Sequence, residues 1–103
     1  MTLINSEHLP LLEEGTKTVS TAGTPIQLTT VKGKKAVIQA LEGNSDTRIL
    51  IGDADTVDGL TSPPVGRHLL YATQTLIERI DDTSKIYIDA DADNGAVRYS
   101  IYG

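Results

Sequence analysis

From Thr16 onward the chain alternates apolar and polar residues over short runs separated by turn-forming residues, as half-buried β-strands do. Residues 17–20 form a brief run that Thr21-Ala22-Gly23 turns. In residues 25–30, Ile26 and Leu28 share one face while Gln27 and Thr29 take the other. Val31-Lys32-Gly33-Lys34 reads as a hairpin-like turn whose glycine can take φ > 0. Residues 35–41 alternate again, and the apolar Ile49-Leu50-Ile51 within 47–52 suits burial on both sides. Residues 67–73 and 75–80 read as two strands or one bent strand. A helix over 68–80 competes, since Leu69, Leu70, Leu76, Ile77 and Ile80 partly fit helical spacing, but Thr73 and Thr75 favour strand. Asp81-Asp82-Thr83-Ser84 is a turn. Residues 85–90 (Ile86 and Ile88 inward, Tyr87 and Asp89 outward) and 96–102 (Val97, Tyr99 and Ile101 on one face) close as a hairpin across 91–95. Seven to eight short strands at about ten-residue spacing predict an all-β fold, an antiparallel β-sandwich or jelly roll.

Two segments break the pattern. Residues 1–15 hold Leu3, Ile4, Leu9, Leu11 and Leu12 at spacings that follow neither strand nor helix period, and Pro10 interrupts both. That density of aliphatics is too high for a solvated tail, so the segment reads as an extended N-terminal arm laid on its own domain or on a neighbour. The remainder, 16–103, is the single sandwich domain. Residues 53–66, with Gly59, Pro63, Pro64 and Gly66, form a connection longer than usual, which points to a functional or partner-bound loop.

Composition narrows the chemistry. One hundred and three residues make one domain, and a formal charge of −5 argues against nucleic acid or anionic lipid as main partner. Without cysteine there is no disulfide framework, thiolate nucleophile or Cys-based zinc site. No run approaches the roughly 18 apolar residues of a membrane span. Residues 1–12 lack the basic and apolar regions of a secretory signal, so the expectation is assembly in a cytoplasm.

Candidate catalytic groups are few. His8 lies in the arm, His68 starts a strand, and Gly33-Lys34-Lys35 lacks the rest of a phosphate-binding loop. The run Asp89-Ala90-Asp91-Ala92-Asp93-Asn94-Gly95 resembles the first half of a calcium loop. Its sixth position is Asn94, its twelfth is Ser100 and its flanks are strands, which excludes an EF-hand. The simpler reading is that Asn94-Gly95 turns a hairpin whose tip the aspartates solvate. Asp53, Asp55 and Asp58 form a second acidic group that could share a cation with the first only if the fold brought them together. No enzyme, cofactor or metal site is expected.

The strings Val19-Ser-Thr-Ala-Gly-Thr-Pro-Ile-Gln-Leu28, Lys35-Ala-Val-Ile-Gln-Ala40, Arg48-Ile-Leu-Ile-Gly-Asp53, Thr83-Ser-Lys-Ile-Tyr-Ile-Asp89 and Gly95-Ala-Val-Arg-Tyr-Ser-Ile-Tyr102 occur in an order that carries a resemblance. Over residues 17–102 the chain resembles small virion proteins and modules of tailed bacteriophages. The loop over 55–66, with its Pro63-Pro64 pair, and the lack of a Gly-rich turn before Thr75 depart from that pattern. The resemblance implies a virion structural protein, foremost a capsid decoration (cement) protein that binds and reinforces the head shell. Its partners would be the major capsid protein or other virion subunits, with a homo-oligomer, dimer or trimer, as the state in the particle. A tail, neck or fibre-associated role is the alternative, and a glycan-binding adhesin using Tyr71, Tyr87 and Tyr102 a further one. Leu3, Ile4, Leu9, Leu11 and Leu12 of the arm, and Val57, Leu60, Pro63 and Pro64 of the loop, are the expected partner contacts.

Overall fold

The computed structural model describes residues 9–41, 47–54, 57–59 and 66–103. Within them the alternating runs become β1 (Leu11–Val19), β2 (Ile26–Gln27), β3 (Lys35–Ala40), β4 (Ile49–Gly52), β5 (His68–Leu70), β6 (Thr75–Arg79), β7 (Tyr87–Ala90) and β8 (Gly95–Tyr102). A 3₁₀ turn, Thr83–Lys85, precedes β7. All pairings are antiparallel. Strands β1 and β8, β2 and β7, β3 and β6, and β4 and β5 pair as in one long hairpin rolled up on itself. Contacts of β3 with β8 and of β4 with β7 close two sheets, β1-β8-β3-β6 (sheet A) and β2-β7-β4-β5 (sheet B). That nesting is the jelly-roll order, so of the two architectures expected from sequence the chain adopts the jelly roll.

The inward positions of both sheets fill one core. Ile38, Val97 and Ile101 of sheet A meet Ile49, Ile51 and Ile88 of sheet B, all fully buried, with Val19, Leu28 and Ile86 closing its margins. β-Branched side chains are stiff at χ1 and pack well on a pleated surface, so the isoleucine-rich composition suits this interior.

Several expectations change. β1 starts at Leu11 instead of Thr16, so residues 11–15 of the expected arm are strand, paired to β8 through a bulge at Leu12. Pro10 hid this from the sequence by standing one residue before the strand begins. The turn at 31–34 is not a hairpin tip, because β2 and β3 lie in different sheets and the chain crosses between layers there. Gly33 is needed at that crossing for close approach: a Cβ on it would stand 2.6 Å from Ile101 Cγ2 and 2.7 Å from the Tyr102 carbonyl oxygen. Thr83 fixes the crossing by donating to the Val31 carbonyl at 2.7 Å and accepting from the Gly33 amide at 2.7 Å. Residues 91–95 likewise join different sheets, with Asn94 taking the positive φ (68°). β5 and β6 are two strands, joined by a turn at 71–74 in which Gln74 N–H donates to the Tyr71 carbonyl.

Candidate functional site

The two sheets differ in what covers their outer faces. On sheet B, Leu50 and Asp89 point away from the core, yet Leu50 is 1 % exposed and Asp89 0 %. The connection after β4 lies over them. Gly66 passes so near that a Cβ on it would be 3.1 Å from Leu50 Cβ, and Gly59 so near that one would sit 1.9 Å from the Ala90 carbonyl oxygen. Asp89 clamps this cover. One carboxylate oxygen accepts from the Gly59 amide at 2.7 Å, and the other from the amides of Gly23 at 3.0 Å and Ala90 at 2.8 Å. A buried carboxylate needs such donors to replace lost water. One side chain therefore ties the loop after β1 and the loop after β4 to the outside of β7.

The neighbouring aspartates are engaged in the same way. Asp91 accepts from Arg48 Nε at 2.6 Å and from the Arg48 amide at 2.7 Å, and Asp93 accepts from the Ala22 amide at 2.9 Å. Asp91, first, and the Tyr71 hydroxyl, second, hold Arg48 more firmly protonated. The expected solvated tip is instead a set of backbone anchors, and Asp89 is its buried member. Alternation had assigned Asp89 to the correct face, but the loop that buries that face has no local signature. Asp53 pairs with Arg67 Nη1 at 2.9 Å. Asp55 lies outside the described residues. Among the described residues no group of three or more carboxylates or imidazoles is placed to hold a metal ion.

Sheet A has no such cover among the described residues. Its registers place the outward side chains in rows across the strand order β1-β8-β3-β6. One row runs Leu11, Tyr102, Lys35, Arg79; the next Glu14, Ser100, Val37, Ile77; the third Thr16, Arg98, Gln39, Thr75. Lys35 Nζ stands 4.8 Å from the Tyr102 ring centroid. Leu11 (49 % exposed) and Ile77 (55 %) are two of the four large exposed apolar side chains among the described residues, and Leu12 (45 %) sits beside the first row at the bulge. Shallow depressions of about 150, 320 and 180 Å³ adjoin one another on this face, and Arg98 lines all three.

The expected contact residues are scattered by the fold. Leu11 and Leu12 are exposed and Leu9 is half-buried, whereas Val57, in the connection after β4, is buried within the chain at 4 % exposure. Leu3, Ile4, Leu60, Pro63 and Pro64 lie outside the described residues, as does His8. His68 Nε2 is 3.3 Å from Glu78 Oε2, and Arg67 Nη2 is 2.7 Å from Glu78 Oε1, so this group joins β6 to the start of β5. Of the tyrosines weighed as a glycan platform, Tyr71 is exposed in the 71–74 turn, Tyr87 lies on sheet B and Tyr102 on sheet A. They share no surface. Sequence reasoning passed over Arg98, although its place between inward Val97 and Tyr99 marks it as outward; its neighbours Thr16 and Gln39 follow only from strand order.

Comparison with protein-family models, curated proteins and solved structures finds no match. No helix among the described residues is long and apolar enough to cross a membrane.

Proposed function

We propose that this chain is a structural protein of a tailed-phage particle, a decoration protein that binds the assembled head and reinforces it by contact. The observation that carries the reading is where the strings that bear the resemblance fall. Residues 19–28, 35–40, 48–53, 83–89 and 95–102 hold the end of β1 with the connection after it, then β2, β3, β4, β7 and β8, much of the frame of the jelly roll. The departures fall on the connection after β4 and on the turn at 71–74, outside that frame.

The chemistry of the frame favours contact over catalysis. Asp89, Asp91, Asp93 and Asp53 each hold a backbone amide or an arginine. Glu13 accepts from Thr29 Oγ1 at 2.5 Å and from the Tyr99 hydroxyl at 3.1 Å. Charged groups engaged in this way stabilise loops and strand ends and supply no base poised beside a nucleophile.

The test is the protein content of purified virions grown from the genome that encodes the chain. Presence at copies on the order of hundreds per particle is expected of a shell component. A single ring's worth would assign the chain to the tail or neck, and absence would end the virion reading. A second measurement concerns the arm. Since β1 begins at Leu11, removal of residues 1–8 leaves every strand among the described residues intact, and the truncated chain is expected to fold normally and to bind heads more weakly. Unchanged binding would remove the arm from the contact.

A further inference from the structure

We infer that the outer face of sheet A is the docking face, and that it fits a carboxylate-bearing protein surface. The protein as a whole carries −5, yet the three rows of this face hold three cations, Lys35, Arg79 and Arg98, against one carboxylate, Glu14. A cationic face on an acidic protein turns the molecule, by that face, towards an acidic partner.

Arg98 is the centre of this face. It is exposed, and among the described residues it has no carboxylate within ion-pair distance. Its hydrogen-bond contact, Nη1 to Gln39 Oε1, is long at 3.5 Å. Gln39 in turn donates from Nε2 to the Thr73 carbonyl at 3.3 Å, which orients its oxygen towards Arg98. A guanidinium steered by one weak acceptor keeps most of its five donors for a ligand, and the planar fork matches a carboxylate in two parallel bonds. Leu11, Tyr102, Val37 and Ile77 add apolar area around the cations, the mixture common at interfaces that dissociate.

The sheet edges are poor alternatives. The outer edge of β1 is long, but Lys17 points inward from it beside Val97, and on β6 Glu78 points inward beside Ala36. Inward charges on edge strands oppose pairing with another strand. β2 and β5, the edges of sheet B, are 2 and 3 residues long. Within the two sheets, docking through a face is therefore favoured over docking through an edge. Four strands about 4.8 Å apart and three rows two residues apart give a patch of roughly 400 Å² once side chains are included. That is about half the usual area per partner, so many copies on one surface would have to share the load.

The inference rests on the virion reading only for where the partner is found. The experiment titrates isotope-labelled full-length protein with poly-L-glutamate at low salt, in parallel with heparin and hyaluronate, and follows backbone amides by NMR. Polyglutamate is expected to shift amides of β8, β3 and the facing part of β1, and Arg98→Glu to weaken binding on the order of tenfold. Lys85→Glu, the same charge change away from this face, is expected to leave binding unchanged. Shifts elsewhere, equal effects of the two substitutions, or binding of the polysaccharides alone would overturn the inference. If Arg98→Glu fails to keep a dispersed spectrum, Arg79→Glu at the face's corner replaces it, with the same expectation and the same overturning results. Loading of Arg98→Glu onto particles at the wild-type level would end the inference and leave the virion role standing. Absence of the wild-type chain from particles would end the role and leave the polyglutamate result standing.

Discussion

Asp89 shows how far one residue's role depends on what lies over it. Removing its carboxylate strands the amides of Gly59, Gly23 and Ala90 in a buried site. Asp89→Ala is therefore expected to cost about 3 kcal/mol in urea denaturation and to open the cover to limited proteolysis near Gly59. A change within about 0.5 kcal/mol would contradict the clamp. Thr73 presents the opposite case, a β-branched residue at φ 72° in the turn before β6. Left-handed backbone costs such a residue of order 1–2 kcal/mol, so Thr73→Asn is expected to raise stability by roughly 1 kcal/mol. Glycine there gains less, because it also loosens the unfolded chain. Tyr99 adds a pH signature. Burial, first, and the Glu13 carboxylate, second, push its hydroxyl above the usual tyrosine range. A pKa higher in the folded state means a contribution complete below the unfolded value of about 10 and lost as pH rises through the folded one. The stability gap between wild type and Tyr99→Phe is thus expected to narrow as pH rises above about 10, read from melting temperatures across the alkaline range. A constant gap would show that ionisation of Tyr99 is not linked to unfolding.

At the level of elements, the inward charges on β1 and β6 make a separate prediction. Lys17→Val removes the guard from a 9-residue edge and is expected to yield concentration-dependent association in light scattering, with the wild type unchanged over the same range. β3, β7 and β8 could be read from alternation and β4 from its continuous apolar run. The leucines and isoleucines of β5 and β6 also fit a helix and were separated from it by Thr73 and Thr75. Pairing could not be read. The Lys32-Gly33-Lys34 and Asn94-Gly95 strings have hairpin chemistry, yet both sit where the chain changes sheets, since local turn residues specify a bend and not the layer that follows. β1 was half lost for a related reason: Glu13, Gly15 and Lys17 occupy inward positions that in a central strand would be apolar. At an edge, Glu13 can reach Thr29 and Tyr99, and Tyr99 covers the space over Gly15, 3.5 Å from where a Cβ would be. Of the candidate site, Leu11 and Leu12 were singled out in the sequence as arm residues; the face centred on Arg98 was not, because it joins residues from four separate strands.

For the molecule as a whole, as the described residues show it, one sheet is covered by the chain's own loop and the other shows cations and apolar side chains on its outer face. This asymmetry gives a small acidic jelly roll a single side on which to sit. Under the proposed docking the acidic surface would face outward, where like charge would keep neighbouring copies apart except as the surface beneath them dictates. The account turns on whether that surface is a virus shell. Cryo-electron microscopy of purified particles grown from the genome that encodes the chain, with mass spectrometry of their protein content, is the decisive measurement. The account predicts density for the jelly roll repeated over the head, with β1, β8, β3 and β6 facing the shell. Particles that lack the chain altogether would contradict it.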